Sequence, residues 1–478
     1  MRSILFASLL LSTAAAPAAQ SPQDARLAKI AAQVDGARIK ATVVKLVSFG
    51  TRHTLSSQTD PKRGIGASLK WSEAELRALG LEVVTPSEMM TGKRVPTPVK
   101  ITDVIAIQRG TERPNDVVII TGHIDSRVPD VMNATADAPG ANDDGSGTAA
   151  VMEAARVLSK SKFPGTIVYA VLMGEEQGLF GGKLLADYAK AQGWNVIANL
   201  NNDIIGNSCG SDGVCDAKTV RVFSEGPRWQ GHDELAAQIR SLGGENDSPS
   251  RNISRFLDSL AERHPEIGLD VMQVWRNDRF GRGGDHTELL NAGYPAVRLS
   301  VAVENYNQQH QDVRVEKGVT YGDTVAVMDF PYLAKVTKLN IAALAALASA
   351  PPPPEPTVEG AVSTDTTVSW NPGFSDRADY FNIRWRRTDA DQWEVSRRVS
   401  IDACPPVKDV APANQSGPEL LLHAWAIRPC KITLKGIRVD DWVFGVSSVS
   451  KDGYESPVAS AVPGGAFRPY VAPKSPSP

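Results

Sequence analysis

Short apolar runs recur between residues 117 and 301, and the stretches between them carry apolar residues at helical spacing. Residues 117–120, 166–173, 196–200 and 296–301 are rich in β-branched side chains and read as strands buried on both faces. Between the first two, residues 147–159 set Ala150, Met152, Ala155, Val157 and Leu158 at mostly helical spacing. Strand, helix, strand repeated in this order predicts an α/β fold with a mostly parallel central sheet flanked by helices. An Ala-rich helical run over 339–350 then meets Pro351-Pro352-Pro353-Pro354-Glu355-Pro356. Consecutive prolines cannot continue a helix and favour a stiff, extended spacer. Beyond it the period changes. Residues 366–370, 380–386, 393–399, 431–439 and 442–449 alternate apolar with polar positions between Asp, Gly and Pro turns, the pattern of an all-β sandwich.

The N-terminus adds a compartment. Arg2, the apolar run over 4–11 and the small residues ending Ala14-Ala15-Ala16-Pro17-Ala18-Ala19 form a signal peptide pattern over residues 1–19, too short for a permanent anchor. No later segment approaches about 18 uninterrupted apolar residues, so no stable membrane insertion is expected. The mature protein is expected to be exported, periplasmic or extracellular. The expected order is a signal peptide (1–19), the α/β domain (20–350), a proline-rich linker (351–356), the sandwich (357–466) and a disordered tail (467–478). With 51 Lys+Arg against 54 Asp+Glu, the net charge of −3 leaves no cationic surplus for a polyanion, which excludes nucleic acid as the main partner. Four cysteines are too few for a disulfide-built scaffold. In an exported chain Cys209 and Cys215, flanking a five-residue loop, are expected to pair, and Cys404 with Cys430.

The chemistry lies just past the end of each predicted strand. Open α/β sheets bind ligands at the carboxyl ends of their strands. Here those ends present Gly122-His123-Ile124-Asp125, Gly174-Glu175-Glu176, Asn201-Asn202-Asp203 and a loop reaching Gln309-His310. The loop Gly140-Ala141-Asn142-Asp143-Asp144-Gly145-Ser146-Gly147 adds two carboxylates before a helix start. Imidazole and carboxylate together are a usual zinc set, and two ions sharing one carboxylate require about five protein ligands. His123, Asp143, Glu176, Asp203 and His310 supply that number, with Glu175 left over where a general base would stand. Singly, each has a plainer reading: a loop histidine, a solvated acid pair, or a turn with a helix cap. Their joint placement at successive strand ends does not.

With these motifs the chain resembles the M28 zinc peptidases, which include bacterial secreted aminopeptidases. The matching segments are Gly122-His123-Ile124-Asp125-Ser126, Pro139 to Gly147, Gly174-Glu175-Glu176-Gln177-Gly178-Leu179, Asn202-Asp203-Ile204-Ile205-Gly206, and Gly284-Asp285-His286 with the late His310. Phe49-Gly50-Thr51-Arg52-His53 also looks familial but carries no ligand. The resemblance implies a zinc exopeptidase-like fold, peptide substrates and two zinc ions: one on His123 and Asp203, the other on Glu176 and His310, with Asp143 bridging. Asp125 would hold the other ring nitrogen of His123, and Glu175 would move the proton between water and the leaving amine. Sequence alone leaves the reverse roles of Glu175 and Glu176 open. Gln309 stands where related aminopeptidases often carry Tyr, a donor to the oxyanion; Tyr306 lies three residues earlier. Around Phe444-Gly445-Val446 and Asp452-Gly453-Tyr454-Glu455-Ser456 the C-terminal region resembles a fibronectin type III module.

The expected activity is therefore an exported aminopeptidase. Three alternatives use the same scaffold: a carboxypeptidase, a glutaminyl cyclase working with one zinc, and a metal-less binding domain. The loop from Trp275 to His286 carries Arg276, Arg279 and Arg282. Arg279 and Arg282, with Tyr306, are the candidate substrate contacts, because arginine forks suit carboxylates; the plainer reading is a solvated basic loop. Asp285 and His286 are expected to organise that loop. His53, His232, His264 and His423 are read as structural or surface residues, and Trp393, Trp425 and Trp442 as sandwich packing.

Overall fold

The computed structural model describes residues 21–227, 233–371, 378–404 and 430–461. The expected signal peptide and tail, and His232, His423 and Trp425, lie outside the described residues. An eight-stranded sheet forms the centre. Its strands in chain order are β1 (Glu82–Val84), β2 (Val104–Gln108), β3 (Arg113–His123), β4 (Gly165–Leu172), β5 (Asn195–Asn202), β6 (Thr219–Ser224), β7 (Asp270–Val274) and β8 (Ala296–Val301). Across the sheet they lie β1-β2-β4-β3-β5-β8-β6-β7. The four predicted strands β3, β4, β5 and β8 form its parallel middle, and β2 and β6 join on either side antiparallel.

Each middle strand is buried on both faces, so its alternating side chains feed two separate apolar layers. Val118 and Ile120 face a layer shared with α1 (Gly145–Leu158) and with Ile341 and Leu344 of α4 (Phe330–Ser349). Val117 and Ile119 face the opposite layer, with Leu185 and Ala186 of α2 (Phe180–Ala191). That is why these runs read as apolar throughout and lack a polar face. The outer strands escaped the sequence reading. β1 has only three residues, and β7 buries a single residue of its five, so neither leaves an apolar run.

α4 ends at Ser349, and Ala350 turns to an extended conformation (φ −76°, ψ 147°), as a residue before proline prefers. The strand β9 (Glu355–Glu359) takes in the last two residues of the expected linker; Pro356 sits on a sheet edge, where proline is tolerated. β9, β10 (Thr366–Asn371) and β13 (Cys430–Leu434) make one antiparallel sheet. β11 (Ala378–Arg387), β12 (Val395–Ser400), β14 (Trp442–Ser450) and β15 (Ala459–Ala461) make another. Val368, Trp370, Phe381, Ile383, Phe444 and Val446 share the apolar layer between them, with Trp370 and Phe381 edge-on at 5.5 Å. The expected strand 393–399 begins two residues late, and Trp393 lies instead beneath the guanidinium of Arg386 at 5.4 Å. Disulfides link Cys209 to Cys215 and Cys404 to Cys430.

Candidate active site

β4 and β5 lie on opposite sides of β3, so the chain reverses its direction of travel there and leaves a crevice at the strand ends. His123 closes β3, Asp203 follows β5, and Glu175 and Glu176 open a short helical turn after β4. Asp143 precedes α1, and His310 lies in the loop after β8. All five candidate ligands meet in this crevice. His123 Nε2 is 3.2 Å from Asp143 Oδ1 and 3.9 Å from Asp203 Oδ1. His310 Nε2 is 2.8 Å from Asp143 Oδ2 and from Glu176 Oε1. One oxygen of Asp143 therefore faces each histidine. Ligand atoms of His123, Asp143 and Asp203, and likewise of Asp143, Glu176 and His310, lie within 4.8 Å of one another.

The local fold explains the acid pair. Asp144 caps α1 by accepting from Gly147 N (2.8 Å), and its other oxygen accepts from His123 N (3.0 Å). The cap reading and the ligand reading are thus both true, of adjacent residues. This packing needs glycine: a Cβ on Gly147 would fall 2.2 Å from Asn202 O, and one on Gly122 2.5 Å from Gly147 C. Asp323 holds the other flank, accepting from Asn142 N and Asp143 N at 2.7–3.0 Å. Arg52, fully buried, donates to the carbonyls of Leu46, Ile124, Pro139 and Gly140 and so ties the familial segment to the site loops.

Asp125 does more than the sequence implied. Its carboxylate is 3.4 Å from His123 Nδ1, but its own carbonyl is nearer, at 3.1 Å. The carboxylate also accepts from the amides of Gly174, Glu175 and Glu176 and from Thr54 Oγ1, which fixes the turn bearing both glutamates. Arg127, missed in the sequence although it stands directly after that motif, spans the other pair. Its Nε donates to Glu176 Oε2 (2.7 Å) and its Nη2 is 2.6 Å from His310 Nδ1. A metal held on His310 Nε2 would put the ring proton on Nδ1, which could then no longer accept from Arg127, while the bond from Arg127 Nε to Glu176 would remain. His310 itself holds φ at +55°, a left-handed conformation uncommon outside glycine and concentrated at functional sites.

Charge arranges the rest. Burial alone would raise Asp143, but His310 and His123 outweigh it and hold the carboxyl well below its ordinary range. Burial would likewise raise Asp203, and Arg298 pulls it down, with Nη2 2.9 Å from Asp203 Oδ1. Arg298 is fully buried in β8 and also grips Asp278 at 2.9 Å. Glu175 behaves oppositely. Burial pushes its carboxyl well up, and Glu176 and Asp203 add to this against the opposing pull of His123. Its Oε2 is 3.9 Å from His123 Nε2, and no described residue hydrogen-bonds its carboxylate.

The sequence-predicted loop organisers do so here. His286 Nε2 donates to Asn277 O (2.9 Å), and Asp285 accepts from Gly182 N (3.0 Å). Neither enters the cluster of candidate ligands. Arg279 and Arg282 line the cleft above the centre, both bonded to Glu304, while Tyr306 stands exposed at its rim. Gln309 donates to Asp143 Oδ2 (3.0 Å) and so is committed to the carboxylate that faces both histidines.

A family model described as peptidase family M28 matches residues 103–322. A probable zinc metalloprotease of Leptosphaeria maculans is 40% identical over 441 residues, 90% of this chain and 96% of that one. The chain belongs to peptidase family M28. A second relative, a probable zinc metalloprotease of Pyricularia oryzae, is 41% identical over 461 residues, 93% of this chain and 86% of its own. Among solved structures, the aminopeptidase LapA of Legionella pneumophila is 20% identical with a TM-score of 0.48, covering 68% of this chain and 75% of that one. The M28 match stops one residue before Asp323, so the residue that holds the Asp143 loop lies just outside it.

The residues fit zinc on their own chemistry. His123 Nε2 is buried without a hydrogen-bond partner and points into three carboxylates. Of the four acids crowded in this crevice, Glu176 and Asp203 are paired with Arg127 and Arg298, but among the described residues no Lys or Arg pairs with Asp143 or Glu175, which pair only with the imidazoles. Two histidines and three carboxylates are a donor set that zinc accepts.

Proposed function

We propose that this M28 peptidase is an exported aminopeptidase that holds two zinc ions, on His123 and Asp203 and on Glu176 and His310, with Asp143 shared. The observation that carries this reading is the two-sided placement of Asp143, one oxygen toward each histidine. Zinc at such a site lowers the pKa of water and stabilises negative charge developing on a carbonyl oxygen. The protein supplies the proton path. Glu175, raised by burial and free of competing hydrogen bonds among the described residues, accepts a proton from the attacking water and delivers it to the leaving amine. The acids of the floor, Glu175 and Asp203, face the cleft and suit a free α-ammonium group, which favours cleavage at the N-terminal residue. Export is supported by the charged, apolar and small-residue pattern over residues 1–19.

The arginines of the 275–286 loop favour a second reading, a carboxypeptidase that grips a terminal carboxylate. Six-residue peptides with free, N-acetylated or C-amidated ends, digested with and without a chelator and read by mass, separate the two. Chelator-sensitive loss of the first residue, abolished by acetylation and indifferent to amidation, is the expected result. Loss of the last residue, tolerant of acetylation and blocked by amidation, would transfer the assignment to a carboxypeptidase.

A further inference from the structure

The cleft above the centre holds about 950 Å³ and is lined by acids and cations together. Its acids are Asp143, Glu175, Glu176 and Asp203; its cations are Lys93, Arg94, Arg127, Arg279 and Arg282, and no other Asp or Glu lines it. Three of these five cations are committed, Arg127 to Glu176 and His310. Arg94 donates to Glu176 O (2.7 Å), and Arg279, only 8% exposed, is locked between Asp278 and Glu304. Arg282 differs. Its side chain is 32% exposed, and only Nη1 is engaged, with Glu304 Oε2 at 3.0 Å and Gln309 Oε1 at 3.1 Å. Its remaining donors have no partner among the described residues.

The local balance is positive. Glu304 is shared by Arg221, Arg279 and Arg282, and Asp278 by Arg279 and Arg298. Two carboxylates thus face four guanidinium groups, and the remaining partner of Arg298 is Asp203, itself a candidate ligand. Position matters as much as charge. Gln309 donates to Asp143 Oδ2 at one end of its amide and accepts from Arg282 at the other, so a single side-chain amide separates Arg282 from the bridging carboxylate. A peptide advances about 3.5 Å per residue. With a carbonyl at the centre and the peptide running toward Gln309, the next residue's carboxylate lies within reach of Arg282.

We propose that Arg282 recognises a carboxylate on the residue immediately after the scissile bond, so that the preferred substrates are short peptides with an anion at that position. This rests on the aminopeptidase reading above. Such a substrate is complementary throughout: its ammonium meets the acidic floor and its carboxylate the unspent guanidinium donors, as a charge-assisted pair. The carboxylate can be the terminal one of a dipeptide or an acidic side chain.

The test uses zinc-loaded full-length enzyme and two matched pairs, Leu-Ala against Leu-Ala-amide for the terminal carboxylate, and Leu-Asp-amide against Leu-Asn-amide for the side chain. At least one acid is expected to exceed its neutral partner in kcat/KM by about 10-fold or more, chiefly through KM, and the ratio should shrink in high salt. In Arg282→Met that ratio falls to about 1, and Arg282→Lys retains part of it. Calorimetric Kd values for the same pairs in Glu175→Gln report the carboxylate contact without turnover. Ratios near 1 in both pairs, or a ratio unchanged in Arg282→Met, would overturn the proposal. Cleavage of the N-acetylated peptides would instead remove the aminopeptidase reading, while the Kd ratios still decide the role of Arg282.

Discussion

Glu175→Gln lowers kcat by about 10²- to 10⁴-fold, the range that a positioned general acid–base supplies, while zinc content stays at the wild-type value. The substitution keeps size and shape and removes only the basic oxygen. Glu176 cannot take over, because its carboxylate is bonded to Arg127 and His310. The same bonds favour Glu176 as the ligand and Glu175 as the base, a choice that adjacent positions in the sequence left open. Asp125 holds the turn through three backbone amides, so the exchange leaves the ligand geometry in place. Metal analysis alongside single-turnover rates checks the prediction. A variant that keeps most of its rate would show that Glu175 is not the base; one that loses zinc would make it a ligand.

Arg386→Ala destabilises the chain by about 3–5 kcal/mol, the usual cost of removing one partner of a buried ion pair. Arg386 lies in β11 and is 1% exposed; its Nη2 meets Asp247 Oδ2 at 2.6 Å, and Asp247 is wholly buried in the peptidase part of the chain. Asp247 also accepts from Ser460 Oγ (3.0 Å), with Arg255 Nη1 at 3.9 Å. Around it, α3 (Pro249–Arg263) presents Asn252 to Ser460 and Arg255 to the carbonyl of Asp391. The C-terminal sheets are thus docked through a buried polar network, not suspended from the proline run. Arg251 and Arg255 also flank the Trp275 ring, each at 5.3 Å, at the start of the loop that carries Arg279 and Arg282. Denaturant midpoints measure the effect, and Asp247→Asn with Arg386→Met should cost less than the two single changes summed. A shift in Arg386→Ala below about 0.5 kcal/mol would mean that this contact does not hold the sheets in place.

The parallel middle of the sheet was legible because its strands are apolar on both faces and end in chemistry. His123, Asp203 and the glutamate pair could be read as candidates from their joint placement at successive strand ends. Their supports could not. Arg298 sits inside a run that reads as a buried strand; Asp203 becomes its neighbour only when β8 lies beside β5, and Asp278 reaches it from the loop after β7. Asp323 comes after the last candidate ligand and leaves no pattern, since it acts on two backbone amides far from it in sequence. Arg127 adjoined a recognised motif, and a charged residue directly after a buried one was the missed signal. Gln309, in the place often held by a tyrosine, is bonded to Asp143 and Arg282, roles that no spacing could show.

Crystals grown with zinc and measured at the zinc absorption edge test the central claim directly. Two anomalous peaks on either side of Asp143, one beside His123 and Asp203 and one beside Glu176 and His310, are the predicted result. A single peak at full zinc saturation would contradict the two-metal account and favour the one-zinc, cyclase-like alternative. No peak in this crevice would remove the metal from the mechanism.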